Sequence, residues 1–248
     1  MEILSHRGYW KLPAEKNSTA AFIRSFDLGY GTETDLRDFD GQLVISHDMP
    51  NSSALAVDDL FTLYNNSKCS CRPTLALNVK ADGLQKLVKE KLNQYNIENY
   101  FAFDMSIPDL VAYKNEGLNF FVRFSEYEPE SRLFEDAAGV WLDGFKETIV
   151  NKRLISSFLN RNKKVCLVSP ELHTREHLAV WDKIKQLPDS ITSSSNFLLC
   201  TDLPEDARSF LWSLKLKLSF SIWMVCSLMP RTGIMMHSIK RLIFLAWK

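Results

Sequence analysis

The stretch "ETDLRDFDGQLVISHD", residues 33–48, joins two strand-like runs through Asp40-Gly41 and carries titratable groups at both ends. Successive strand residues point to opposite sides, so Glu33 and Asp35 share a face. Asp-Gly is a strong hairpin signal. Two loops fit it, and they differ by one step of register, which moves every side chain to the other side of the sheet. A two-residue loop separates His47 from the two carboxylates. A three-residue loop, Phe39-Asp40-Gly41 with Gly41 left-handed, sets Glu33 opposite His47 and gathers Glu33, Asp35 and His47. The turn alone does not decide between them. The three-residue loop is the expectation because it gives four charged strand ends a common purpose.

Around this hairpin, short apolar runs alternate with longer amphipathic ones. Strand patterns are "EILSH", "TETDLRDF", "QLVIS", "TLALNVK", "YFAFDM", "NFFVRFS", "GVWLDGF", "KVCLVSP" and "FLLCTD". Helical patterns cover residues 19–28, 84–95, 107–115, 147–160 and 174–186. Alternation of this kind predicts a mostly parallel sheet with helical crossovers. Eight or nine strands in about 210 residues predict a closed (β/α)₈ barrel of the TIM type. The hairpin near the N-terminus makes it somewhat irregular. Such barrels place their chemistry at the C-terminal strand ends. Those ends read His6-Arg7, His47-Asp48, Asn78 and Lys80, Asp104, Arg123 and Glu126, Asp143, Glu171 and Asp202.

The 248 residues are 46% hydrophobic and 24% charged with zero formal net charge, so nothing points to nucleic acid. The zero is a balance of unequal parts. Residues 212–248 hold six Lys or Arg and no acid, leaving 24 basic against 30 acidic groups in residues 1–211. Residues 1–211 are therefore read as the barrel and 212–248 as a basic, apolar tail. Three readings of that tail stand open: an appended or altered terminus, a segment lying on a membrane surface, or a last barrel helix. The five cysteines have no framework or zinc spacing and read as free thiols of a reducing cytoplasm. "MEILSHRG" has no signal-peptide pattern, and the longest apolar run, 218–229, is too short to span a bilayer. A cytoplasmic location is the expectation.

"SHRG" at a first strand end, followed by "KNSTAAFIRSFDLGYGTETDLRDFDGQLVISHD", resembles the glycerophosphodiester phosphodiesterase family. That family belongs to the phosphatidylinositol-phospholipase-C-like barrels. The matching elements are His-Arg-Gly, Glu-x-Asp, Asp-Gly and His-Asp, in order, over residues 3–48, with a fainter match to about 211. The resemblance implies hydrolysis of a small phosphodiester, with His6 and His47 as general acid and base. It implies a divalent cation, Mg²⁺ or Ca²⁺, on Glu33, Asp35 and residue 78, and phosphate held by Arg7 and Lys80. The chemistry agrees independently: hard oxygen ligands suit those ions, unperturbed imidazoles titrate near neutrality, and guanidinium and ammonium groups hold phosphate oxygens.

The sequence departs from the pattern at Asn78, where "LALNVK" has an amide in place of the usual metal-binding Glu. The site then has two formal negative charges, and Asp48, Asp104, Asp143 and Glu171 are the candidates to compensate. Asn17 reads equally as a phosphate contact or a helix cap. Arg123, Asp143 and Glu171 complete the candidate pocket. The competing expectation is a barrel that binds phosphorylated ligands without turning them over.

Overall fold

The apolar runs form strands β1 (Glu2–His6), β2 (Gly31–Phe39), β3 (Gln42–Ile45), β4 (Leu55–Ala56), β5 (Leu75–Val79), β6 (Tyr100–Phe103), β7 (Phe121–Phe124), β8 (Gly139–Leu142), β9 (Lys164–Val168) and β10 (Phe197–Thr201) in a computed structural model that describes residues 1–69 and 71–212. Parallel pairing runs β6-β5-β2-β1-β10-β9-β8-β7. A bridge from Ala102 to Phe120 brings β6 against β7 and closes a barrel of eight parallel strands. β3 and β4 are an antiparallel excursion from β2. The barrel unit spans Met1–Leu211. The expectations for the tail fall on residues 213–248, outside the described residues.

Alternation along the strands sorts two cores. Leu4, Ala76, Phe101, Phe103, Phe121, Trp141, Cys166, Val168, Leu198 and Cys200 fill the barrel interior. The opposite faces of β2 and β5, with Leu36, Leu75, Leu77 and Val79, pack outward on helices α1 (Thr19–Asp27), α2 (Val57–Asn65) and α3 (Gln85–Gln94). The remaining helices are α4 (Ile107–Asn115), α5 (Lys152–Asn160), α6 (Leu178–Lys185) and α7 (Asp189–Thr192). Helix α5 begins at Lys152 rather than Glu147 because Asn151 caps it, its Oδ1 accepting from the N–H groups of Arg153 and Leu154 at 2.9 and 3.1 Å. Cys69 and Cys71 form a disulfide, contrary to the expectation of free thiols. Among the described residues no helix is long and apolar enough to cross a membrane.

The hairpin register differs from expectation. Phe39 pairs with Gln42 and Leu36 with Ile45, so the loop is the two residues Asp40-Gly41. Both have positive φ, 53° and 77°, the conformation of a type I′ turn whose twist matches that of the strands. Turn geometry thus overrides the grouping that favoured the longer loop. A branched side chain at φ 53° is strained, so Asp40→Val should lose about 1–2 kcal/mol of stability in urea unfolding. A Asp40→Val protein as stable as the parent would contradict this turn.

Candidate active site

Parallel strands in register point laterally adjacent side chains the same way. Asp35 on β2 pairs with Asn78 on β5, and Glu33 pairs with Ala76, an interior residue. Glu33, Asp35 and Asn78 therefore face the barrel axis at its C-terminal end. Their exposures are 1%, 0% and 8%. Two full carboxylates this deep require partners.

Asp35 has them on three sides. Its Oδ2 accepts from Asn17 Nδ2 at 2.9 Å and lies 3.2 Å from Arg7 Nε, while Lys80 Nζ stands 3.6 Å from Oδ1. Glu33 accepts from the Arg7 N–H at 3.2 Å and sits 3.8 Å from His6 Nε2. Burial pushes the Glu33 carboxyl above its usual range. Asp35 pushes the same way, against the pull of His6, Arg7 and Lys80. The β1–α1 loop supplies these groups through tight turns: Arg7, Gly8 and Asn17 all have positive φ, and the Asn17 N–H donates to Arg7 O at 2.9 Å. Ser18, not Asn17, caps α1, and Asn17 also accepts from Thr34 Oγ1. Asn17 thus positions Asp35.

His6 is held from behind. Its Nδ1 lies 2.7 Å from Asp202 Oδ1 at the end of β10. An ionised carboxylate only accepts, so Nδ1 carries the proton and Nε2 faces Glu33. His47 is elsewhere. With the shorter loop, the ladder runs to the Ser46 N–H donating to Asp35 O at 3.1 Å, and the chain then leaves the sheet. His47 pairs with Asp48 at 2.9 Å and is 43% exposed, away from Glu33 and Asp35. It lines a pocket of about 470 Å³ whose other walls include Arg7, Lys16, Asn17, Ser46 and Asp48. His6 is not among the residues that line it, so the structure does not bring the two histidines together as the longer loop would have.

The remaining candidates divide. Arg123 pairs with Asp104 and Glu128 on the mouth beside Lys80, and Lys80 also stands 3.6 Å from Asp104 Oδ2. Asp143 accepts from His173 Nε2 at 2.7 Å. Glu171 accepts from Ser169 Oγ, Thr201 Oγ1 and the Asp202 N–H, next to the acid that holds His6. Asp202, which the sequence offers only as one of the polar strand ends, is here the partner of His6, and His173 is a further residue beside Asp143. Interior Cys166 and Cys200 are fully buried with thiols pushed well above their ordinary range, which makes them packing residues and not nucleophiles.

Among the described residues, no three His, Cys, Asp or Glu side chains are grouped to hold a metal ion. The set reaches three only by counting the Asn78 amide. Even so, Asp35 Oδ1 and Asn78 Oδ1 are buried without accepting a hydrogen bond. Two such oxygens on paired positions, beside Glu33, fit a hard cation that takes oxygen ligands.

The fold has structural counterparts. A glycerophosphodiester phosphodiesterase from Parabacteroides distasonis superposes with a TM-score of 0.66 at 15% identity, over 86% of this chain and 98% of that one. This chain has their fold. A second such enzyme, from Agrobacterium tumefaciens, gives 0.59 at 15% identity over 86% and 99%. A Ca²⁺-dependent phosphatidylinositol-specific phospholipase C from Streptomyces antibioticus gives 0.50 at 9% over 85% and 95%. No protein-family model and no curated protein matches the sequence.

The raised Glu33 carboxyl makes a testable statement about stability. The native protein holds this proton at pH values where the unfolded chain has released it. Stability is therefore reduced at pH values above the ordinary carboxyl range, and the loss is recovered as pH falls through the raised native value toward that range. Glu33→Gln should raise the urea midpoint at pH 8 in chelator, with the gain shrinking toward acid pH. Superimposable denaturation curves at both pH values would mean that Glu33 carries no buried charge.

Proposed function

We propose that this chain is a phosphodiesterase acting on a glycerophosphodiester or a similar phosphate-linked alcohol, with Glu33, Asp35 and Asn78 holding a divalent cation, Mg²⁺ or Ca²⁺. The observation that carries this reading is the buried Glu33/Asp35 pair with the Asp202-held His6 directly beside it, at the barrel mouth. When bound, the cation would polarise a phosphoryl oxygen and offset charge as the diester reacts.

The chain's own residues do the rest. Arg7 offers a guanidinium to non-bridging oxygens, and Lys80 an ammonium from the neighbouring strand. Asp202 fixes the His6 tautomer, so that Nε2 is the atom presented for proton transfer. His47, paired with Asp48 in the neighbouring pocket that Arg7 also lines, is proposed to exchange the second proton. On this reading His6 and His47 share the work of base and acid.

A second reading has its own support: Asp35 is already paired with Arg7 and Lys80, and Asn78 adds no charge. A barrel so balanced could bind phosphorylated ligands and leave them intact. Contact with nucleic acid is not part of either reading. The basic tail is proposed to touch a membrane surface, and the cytoplasm is the proposed compartment.

Hydrolysis of a panel of glycerophosphodiesters with Mg²⁺, Ca²⁺, Mn²⁺ or chelator decides between turnover and binding. On the turnover reading, His6→Ala loses roughly 10²–10⁴-fold in kcat, the usual range for a proton-transfer residue. Asp202→Asn loses less, and its pH–rate profile shifts because the imidazole has lost its carboxylate. No turnover with any ion or diester would favour the binding barrel, and full activity in His6→Ala would remove His6 from the mechanism.

A further inference from the structure

Asn78 leaves the cation site one carboxylate short, and the structure separates the four acids that could supply it. Glu171 is spent on Ser169, Thr201 and the Asp202 backbone. Asp143 is held by His173 two strands beyond β6, and Asp48 is 93% exposed beside His47. Asp104 differs. Its strand neighbour Phe103 is the register partner of Asn78, so Asp104 follows directly on the strand beside the deficient position.

The backbone at Asp104 is also unusual. Phe103 packs in the barrel interior, so continued alternation would turn residue 104 outward. Asp104 instead has φ 75°, a left-handed conformation that ends the strand, and its carboxylate reaches Lys80 and Arg123 at the mouth. Arg123 holds Oδ1, and Oδ2 lies 3.6 Å from Lys80 Nζ. The same ammonium stands 3.6 Å from Asp35 Oδ1. A single positive charge thus occupies the space between the two carboxylates. Asp35 Oδ1, and Asn78 Oδ1 on the residue paired with Asp35, are both buried and accept no hydrogen bond.

We propose that Asp104 completes the cation site, supplying the carboxylate that residue 78 lacks, and that a divalent cation displaces the Lys80 ammonium from between Asp35 and Asp104. This rests on the reading that Glu33, Asp35 and Asn78 hold a hard cation. To ligate such an ion, whose contacts are about 2.0–2.6 Å, the Asp104 carboxylate would have to give up its present partners Lys80 and Arg123. Lys80, released from both carboxylates, swings toward the pocket, where it is free to meet phosphate. Loading the ion and arming the phosphate-binding lysine become one event.

Calorimetric titration of Mg²⁺ and Ca²⁺, with no substrate present, tests this in the full chain. Asp104→Asn is the informative variant, since Asn tolerates left-handed backbone as Asp does. It should bind about tenfold more weakly than the parent. Asn78→Glu placed in the Asp104→Asn background should return affinity toward the parental value, and Lys80→Met should tighten binding by removing the competing charge. An Asp104→Asn isotherm that overlays the parent's overturns the proposal alone. So does a loss that Asn78→Glu fails to restore, which would mark Asp104 as a support for the fold. A parent that takes up neither ion overturns the proposal and the cation reading together.

Discussion

The buried charge of Asp35 is the constraint around which the mouth of this barrel is arranged. A carboxylate with no exposure is tolerable only when ion pairs and hydrogen bonds surround it; removing a single partner from such a group costs several kcal/mol. Its partners come from three directions: Arg7 and Asn17 from the β1–α1 loop, and Lys80 from the end of β5. The loop must double back sharply to deliver two of them. Gly8 allows it, at φ 80°, where an added Cβ would lie 2.9 Å from that of Ala21. The His-Arg-Gly sequence is therefore a geometric requirement of Asp35 as much as a set of functional groups.

The same constraint divides the barrel interior. Around β6, β7 and β8 it is filled by flat aromatic rings, Phe101 on Phe121 at 3.6 Å and Phe103 on Trp141 at 4.0 Å. Around β2 and β5 the inward positions are Glu33, Asp35, Ala76 and Asn78. The aromatic side supplies the dry packing that holds the sheet closed, and the acidic side carries the ion pairs and hydrogen bonds of Asp35 and Glu33. Burial on one side is what keeps the dielectric low on the other, and so what makes the Asp35 ion pairs strong.

The sequence made the barrel legible because each parallel strand is a short apolar run ending in a polar residue, and both features survive in one dimension. Glu33, Asp35, Asn78 and Lys80 were legible for the same reason: they follow period-two alternation on single strands. The hairpin register was not, because Asp-Gly admits two loops and positive φ at Asp40 leaves no trace in composition. Helix α2 and the short β4 were missed between Asp48 and Asn78, where the segment reads only as a connection. The partner of His6 could not be read at all. Asp202 is 196 residues away and meets it only because β10 closes the barrel against β1. His173 likewise has no motif around it, and it meets Asp143 only because β8 and β9 are neighbouring strands.

Charge balance near Asp35 explains how a site short of one carboxylate can still be stable. Around Asp35 and Asp104 the cations Arg7, Lys80 and Arg123 already pair with the carboxylates, so the resting site does not present a bare cluster of negative charge. On the proposed reading, a divalent cation entering alone brings two positive charges into a balanced, poorly solvated region. A phosphodiester carries the negative charge that offsets part of this, and it also gives the displaced Lys80 a partner. Cation and substrate then favour each other's binding, a coupling that is necessarily reciprocal. A Glu at position 78 would instead leave the resting site with an unmatched negative charge and hold the ion before substrate arrives. Asn78 therefore weakens the site toward the ion alone more than toward the ion and diester together.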